Sequence, residues 1–126
     1  MTPAGLATAL RTCAAGLCPL EAGVGLLIAN GAFLHCGAFT SRFILHGTTG
    51  MAAVDWDAAT AALTAGELPC PGGEQRIFRL AASLAAGIPV DLGDAVTGLD
   101  RHNIQRLVTA IRHASGQRQP REPGTP

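Results

Sequence analysis

The chain has 126 residues, enough for one domain or one domain with an appended helical hairpin. Nearly half of it is hydrophobic, but four Phe, one Trp and no Tyr leave the core mainly to Leu, Ile, Val and Ala. Formal net charge is zero and all nine basic residues are arginine, which excludes any lysine-dependent phosphate loop, Schiff base or lysine general base.

Residues 4–15 place Leu6, Leu10 and Cys13 at helical spacing, with Leu17 beyond and Gly16 near the stop. Pro19 suits a first helical turn, and PLEAGVGLLIAN brings Leu20, Val24, Leu27 and Ile28 to one face before Asn30-Gly31 ends the run. Residues 32–46 stay apolar, with Phe33, Phe39, Phe43 and Ile44 as expected core and Gly37 as a break. Positions 22–41 hold twenty uncharged residues, a length that spans a bilayer. Only seven of them are Leu, Ile, Val or Phe, and four glycines, Asn30 and His35 interrupt them, so a buried helical hairpin is expected rather than a membrane span.

Gly47-Thr48-Thr49-Gly50 reads as part of a linker over 47–53. Asp55 caps a helix bearing Trp56, Ala59 and Leu63, stopped by Gly66. After the turn Leu68–Gly73, a helix from Glu74 aligns Ile77, Leu80, Ala81 and Leu84 and stops at Gly87. Asp91 and Asp94 bracket a short helical turn. Asp100 caps the last helix, whose apolar face is predicted to be Ile104, Leu107, Val108 and Ile111. Period-2 alternation appears only briefly near Ile88 to Leu92. The fold class is therefore all-α: a small bundle of five or six helices. It comprises an N-terminal helical hairpin region at 1–46, the linker, a four-element helical unit at 54–116 and a disordered tail at 117–126.

GGEQRIFRLAASLAAG resembles the signature segment of ATP-binding-cassette ATPases, and DLGDAVTGLD resembles their Walker-B strand and Leu-Asp loop. That resemblance implies phosphate contacts from the signature serine and glycines and a magnesium-binding acidic pair. Pro71 stands at the serine position, Asp91 and Gly93 interrupt the strand, and Ala95 replaces the glutamate after Asp94. With no Walker-A motif and no lysine, the likeness is read as fortuitous and no cofactor is expected. A broader resemblance covers most of residues 10–116. An Ala-Gly-Leu-x-Pro-Leu-Glu-Ala hairpin joins Asp55-Trp56, Leu68-Pro69-Cys70, Gly72-Gly73-Glu74 and Thr97-Gly98-Leu99-Asp100. This pattern is similar to short, uncharacterised helical proteins of actinobacteria and implies a helical fold without a known site.

Cys13, Cys18, Cys36 and Cys70 form no Cys-x-x-Cys pair, and no basic leader precedes them, so four reduced thiols in a cytoplasmic protein are expected. His35 and Cys36 are adjacent, and Cys13 and Cys18 lie about 140° apart on a helix, so neither pair, with or without His46, matches metal-ligand spacing. Cys70 sits beside a helix start, where the dipole lowers a thiol pKa, and His102 and His113 lie on a helix that can approach it. Asp55, Asp91 and Asp100 are better explained as caps than as general bases. No catalytic or metal site is assigned.

Charge is uneven. Residues 101–126 carry five arginines against Glu122, a net +4, and residues 1–100 carry four against eight acids, a net −4. Arg101, Arg106, Arg112 and His113 on the last helix, with Arg118 and Arg121 in the tail, are the candidate nucleic-acid contacts. The principal expectation is a non-enzymatic interaction or regulatory protein that meets a protein partner or a second copy, with Phe33, Phe39 and Phe43 as candidate contacts. A DNA-binding accessory role is the alternative.

Overall fold

The computed structural model describes residues 2–47, 49–68 and 70–116. Its helices are α1 (Pro3–Ala14), α2 (Cys18–Asn30), α3 (Gly37–Phe43), α4 (Trp56–Thr64), α5 (Gly72–Ala86), α6 (Leu92–Val96) and α7 (Arg101–Ala114). A 3-10 turn at Phe33–His35 precedes α3, and strands β1 (Ile44–His46) and β2 (Ala52–Val54) form the one sheet among the described residues. The all-α reading holds: this is a small helical bundle with a minor hairpin. The tail expected at 117–126, including Arg118 and Arg121, lies outside the described residues.

α2 is the centre of the bundle. Its composition is apolar on nearly every side, which suits a helix enclosed by others. Ala22, Gly23, Val24, Leu26 and Leu27 are all buried, and α1, α5 and α7 pack around it. Gly31 ends it in the left-handed region at φ +83°, where its N–H donates to the Leu27 carbonyl at 3.1 Å. A single hydrophobic cluster joins the N-terminal helices to α4, α5 and α7, so the hairpin region and the later helices share one core.

The few aromatic residues are pooled rather than scattered. Phe33, Phe39, Phe43, Phe78 and Trp56 are all buried, and their ring centroids lie 5.1 to 5.9 Å apart in tilted or edge-on pairs. Phe33, Phe39 and Phe43 are therefore core, the reading the sequence favoured for each, and not partner contacts. Three acidic caps fall where the sequence puts them. Asp55 accepts from the Ala58 N–H at 3.2 Å, Asp91 from Asp94 at 3.1 Å, and Asp100 from Asn103 at 2.7 Å.

The region expected as linker is partly sheet. β1 and β2 pair antiparallel, with Ile44 opposite Val54 and His46 opposite Ala52, and the Gly47 N–H donates to the Met51 carbonyl at 2.8 Å. Ile44, Ala52 and Val54 face the core, while Leu45 stays 56% exposed. The uncharged stretch 22–41 is divided among α2, the 3-10 turn and α3. Among the described residues no helix is long and apolar enough to cross a membrane.

Candidate functional site

α2 and α7 run antiparallel, pinned at both ends by polar contacts. At one end the His113 ring N–H donates from Nε2 to Glu21 Oε1 at 2.8 Å, while Glu21 Oε2 accepts from the Gly16 backbone at 3.0 Å. At the other, Asn30 Nδ2 donates to Asn103 Oδ1 at 3.3 Å. The two helices, joined by the C-terminal half of α1, enclose a groove of about 670 Å³ that is open to solvent along one side.

The floor is built from small residues. Ala22, Gly25 and Ala29 of α2 and Ala110 of α7 line it, with Val24 and Leu26 also on α2 and Ala14 on the α1 side. Gly25 faces open space, since a Cβ added there would meet nothing within 4 Å. Gly23, two residues earlier, has the opposite surroundings: a Cβ there would fall 2.5 Å from the Ala81 carbonyl oxygen and 2.6 Å from Ala85 Cβ. One glycine lets α2 meet α5, and the other leaves the groove open.

The walls are polar. Arg11 projects from α1, and α7 contributes His102, Gln105, Arg106, Thr109 and His113. Glu21 is the sole acidic residue of the lining among the described residues. Arg106 is half-buried, and its Nη1 donates to Asn103 Oδ1 at 3.0 Å. Asn103 is itself 7% exposed, so one buried amide oxygen holds both Asn30 and Arg106.

At about 100° per residue, α7 sorts its side chains into distinct faces. Asn103, Leu107 and Ala110 are buried against the bundle. Arg106 and His113 lie on the shoulder that forms the groove, whereas Arg101 and Arg112 are exposed on the outer face. Among the candidate nucleic-acid contacts, then, Arg106 and His113 both line the groove, toward different ends, and are hydrogen-bonded within the protein, whereas Arg101 and Arg112 lie outside it. Arg118 and Arg121 fall outside the described residues.

The apolar face expected for this helix is also turned. Ile104 is half-buried, while Val108 and Ile111 are 42% and 48% exposed, so the inward face is rotated by about 80° from the one expected. The cause is the close approach to α2. Ala110 is buried on that side, and Asn103 is acceptable inside because its amide oxygen is satisfied.

His102 and His113 line the groove, and Cys70 is not among its lining residues. Burial pushes its thiol up to about 11 from the usual 9.0, and the Glu74 charge and Cys36 add to the rise. The lowering expected from the start of α5 is overturned by burial. All four cysteines are free thiols and half-buried. Among the described residues no three His, Cys, Asp or Glu side chains converge so as to hold a metal ion.

Arg11, Glu21, Gly25, Asn103, Gln105 and Thr109 are site residues that sequence reasoning did not single out. Arg11 and Glu21 carry no local signal, because their roles arise only when α1 and α7 fold onto α2. Gly25 does carry one: glycine in the middle of a helix costs about 1 kcal/mol relative to alanine, and such a residue asks for a reason. The chain matches no family model, and neither a curated protein nor a solved structure matches it.

Proposed function

We propose that the protein is a non-enzymatic binding protein of regulatory type, whose ligand is a small molecule held in the groove between α2 and α7. The observation that carries this reading is the groove itself. Its volume of about 670 Å³ falls in the range of small-molecule sites, roughly 300 to 1,000 Å³. It combines an apolar floor with a few convergent polar groups, the usual composition of such sites. Placing glycine at position 25, where alanine would fit without a clash, keeps space open that folding alone does not require.

A binding role is preferred to a catalytic one on two grounds. The Glu21 carboxylate is already engaged by His113 and the Gly16 amide, and the Cys70 thiol is held in its unreactive protonated form. The DNA-binding alternative draws on Arg101 and Arg112, which lie eleven residues and about 16 Å apart on α7. Their exposure is equally what a solvated helix face needs, and it supplies no reason for the groove.

The test is a fragment screen of the full chain followed by two-dimensional ¹H–¹⁵N spectra, repeated on Gly25→Leu. That substitution grows a side chain into the groove from a position with free space, so the fold should persist. Fragments that shift amides of α2 and α7 in the parent chain and leave Gly25→Leu unchanged would support the reading. Hits scattered over other surfaces, or unaffected by the leucine, would overturn it.

A further inference from the structure

We infer that the groove takes an organic anion: a compact apolar body bearing a carboxylate or phosphate group, with the acidic group read by Arg106 and the body lying over Gly25. The inference rests on the ligand-binding reading above and adds the chemical class of the ligand.

Three observations converge on it. The first is that Arg106 is set in place before any ligand arrives. Its guanidinium donates to Asn103, which is buried, also bonded to Asn30, and anchored through its backbone N–H by Asp100. An arginine on a free stem must lose rotamer entropy when it binds, and one already oriented loses less. The planar fork has five N–H donors, and the contact to Asn103 uses one of them. Carboxylates and phosphates are the groups whose oxygens match that fork.

The second observation is the distribution of charge along the groove. Arg11 and Arg106 contribute guanidinium groups to the lining, and His102, Gln105 and Thr109 contribute further polar groups. Glu21 is held at the opposite end, nine residues from Asn30 along α2, or about 13 Å. Among the described residues the lining thus carries two arginines against one carboxylate, and that carboxylate is already engaged by His113 and the Gly16 amide. The third is the floor between the two ends. Ala22, Gly25, Ala29 and Ala110 present no polar side-chain atom, so the part of the ligand above them is apolar.

The experiment titrates the full chain with 1-naphthoate, 1-naphthyl phosphate and the uncharged 1-naphthol, which share one body, and follows amides of α2 and α7. At least one anion should bind roughly tenfold or more tightly than naphthol, the discrimination expected of a charge-assisted contact. Arg106→Gln should reduce that anion to the affinity of naphthol and leave naphthol itself unchanged. Preference for the phosphate or for the carboxylate assigns the head group. Equal binding of all three probes would overturn the anion and leave the ligand-binding reading intact. If none moves groove amides by about 10 mM while Trp56 fluorescence shows a folded chain, the inference falls, and the fragment screen alone decides the wider reading.

Discussion

Replacing Gly23 by alanine should set packing against helix propensity, with packing the stronger. In an open helix interior the change gains about 1 kcal/mol. At Gly23 the new methyl would lie 2.5 Å from the Ala81 carbonyl oxygen and 2.6 Å from Ala85 Cβ, against 3.4 Å or more in ordinary contact. α2 and α5 must therefore separate by about 0.9 Å, since a backbone carbonyl cannot swing aside as a side chain does. Overpacking of this kind costs roughly 1–3 kcal/mol, and separation also weakens dispersion along the whole interface. The expected net loss is about 2 kcal/mol, the upper part of that range less the propensity gain. Gly25→Ala, which meets nothing within 4 Å, is the matched control and should gain up to about 1 kcal/mol. Trp56 is the sole tryptophan, is buried, and lies 5.4 Å from the Phe78 ring on α5, so its fluorescence follows urea unfolding of the shared core. Two alanines placed two residues apart should thus move stability in opposite directions. A Gly23→Ala chain as stable as Gly25→Ala would refute the close approach of α2 and α5.

Two further outcomes follow from burial. Leu107→Ala should cost roughly 2–3 kcal/mol in the same unfolding assay, because Leu107 is 5% exposed, whereas Ile111→Gln at 48% exposure should stay within about 0.5 kcal/mol. Equal losses would restore the apolar face expected from the sequence. The raised Cys70 thiol makes a prediction in alkali. The folded chain holds the proton more tightly than the unfolded chain, so this contribution is complete below about pH 9 and is lost as pH rises toward 11. At about pH 8 mapped alkylation of Cys70 should run roughly a hundredfold slower than that of a free thiol, and Cys70→Ala should flatten the alkaline fall in urea midpoint. Fast alkylation at Cys70 in the folded chain would contradict its burial.

Local signals were the legible part of the sequence. Asp55, Asp91 and Asp100 announced helix starts because a cap needs only the next three residues, and Asn30-Gly31 announced a stop for the same reason. The β1–β2 hairpin was not legible: three-residue strands contain too little alternation to separate from a helix fragment or a turn. The α7 face was misjudged because side-chain hydrophobicity was the criterion, whereas proximity to α2 favoured Ala110 and a satisfied Asn103 over Val108 and Ile111. The groove depends on pairs 73 and 92 residues apart, Asn30 with Asn103 and Glu21 with His113. No periodicity encodes such a pairing. Gly25 alone left a trace, as a helix interior with a residue that weakens it.

Asn103 offers the sharpest separation of stability from recognition. In Asn103→Asp the Oδ1 position remains within reach of Asn30 and Arg106, but the new carboxylate makes the 3.0 Å contact to Arg106 an ion pair. The parent contact already involves the Arg106 cation, so the gain is the added attraction of a carboxylate for a guanidinium it already touches. The residue also sits in the first turn of α7, where the helix dipole favours negative charge. Burial of the carboxylate opposes these gains, so stability should change by less than about 1 kcal/mol. The groove should respond far more strongly. Its preorganised cation would now be neutralised from within, and affinity for the naphthyl anions should fall roughly tenfold or more while that for naphthol holds. A folded Asn103→Asp chain that still preferred the anions would show that Arg106 does not read the acidic group, and Arg11 would then be the cation to replace.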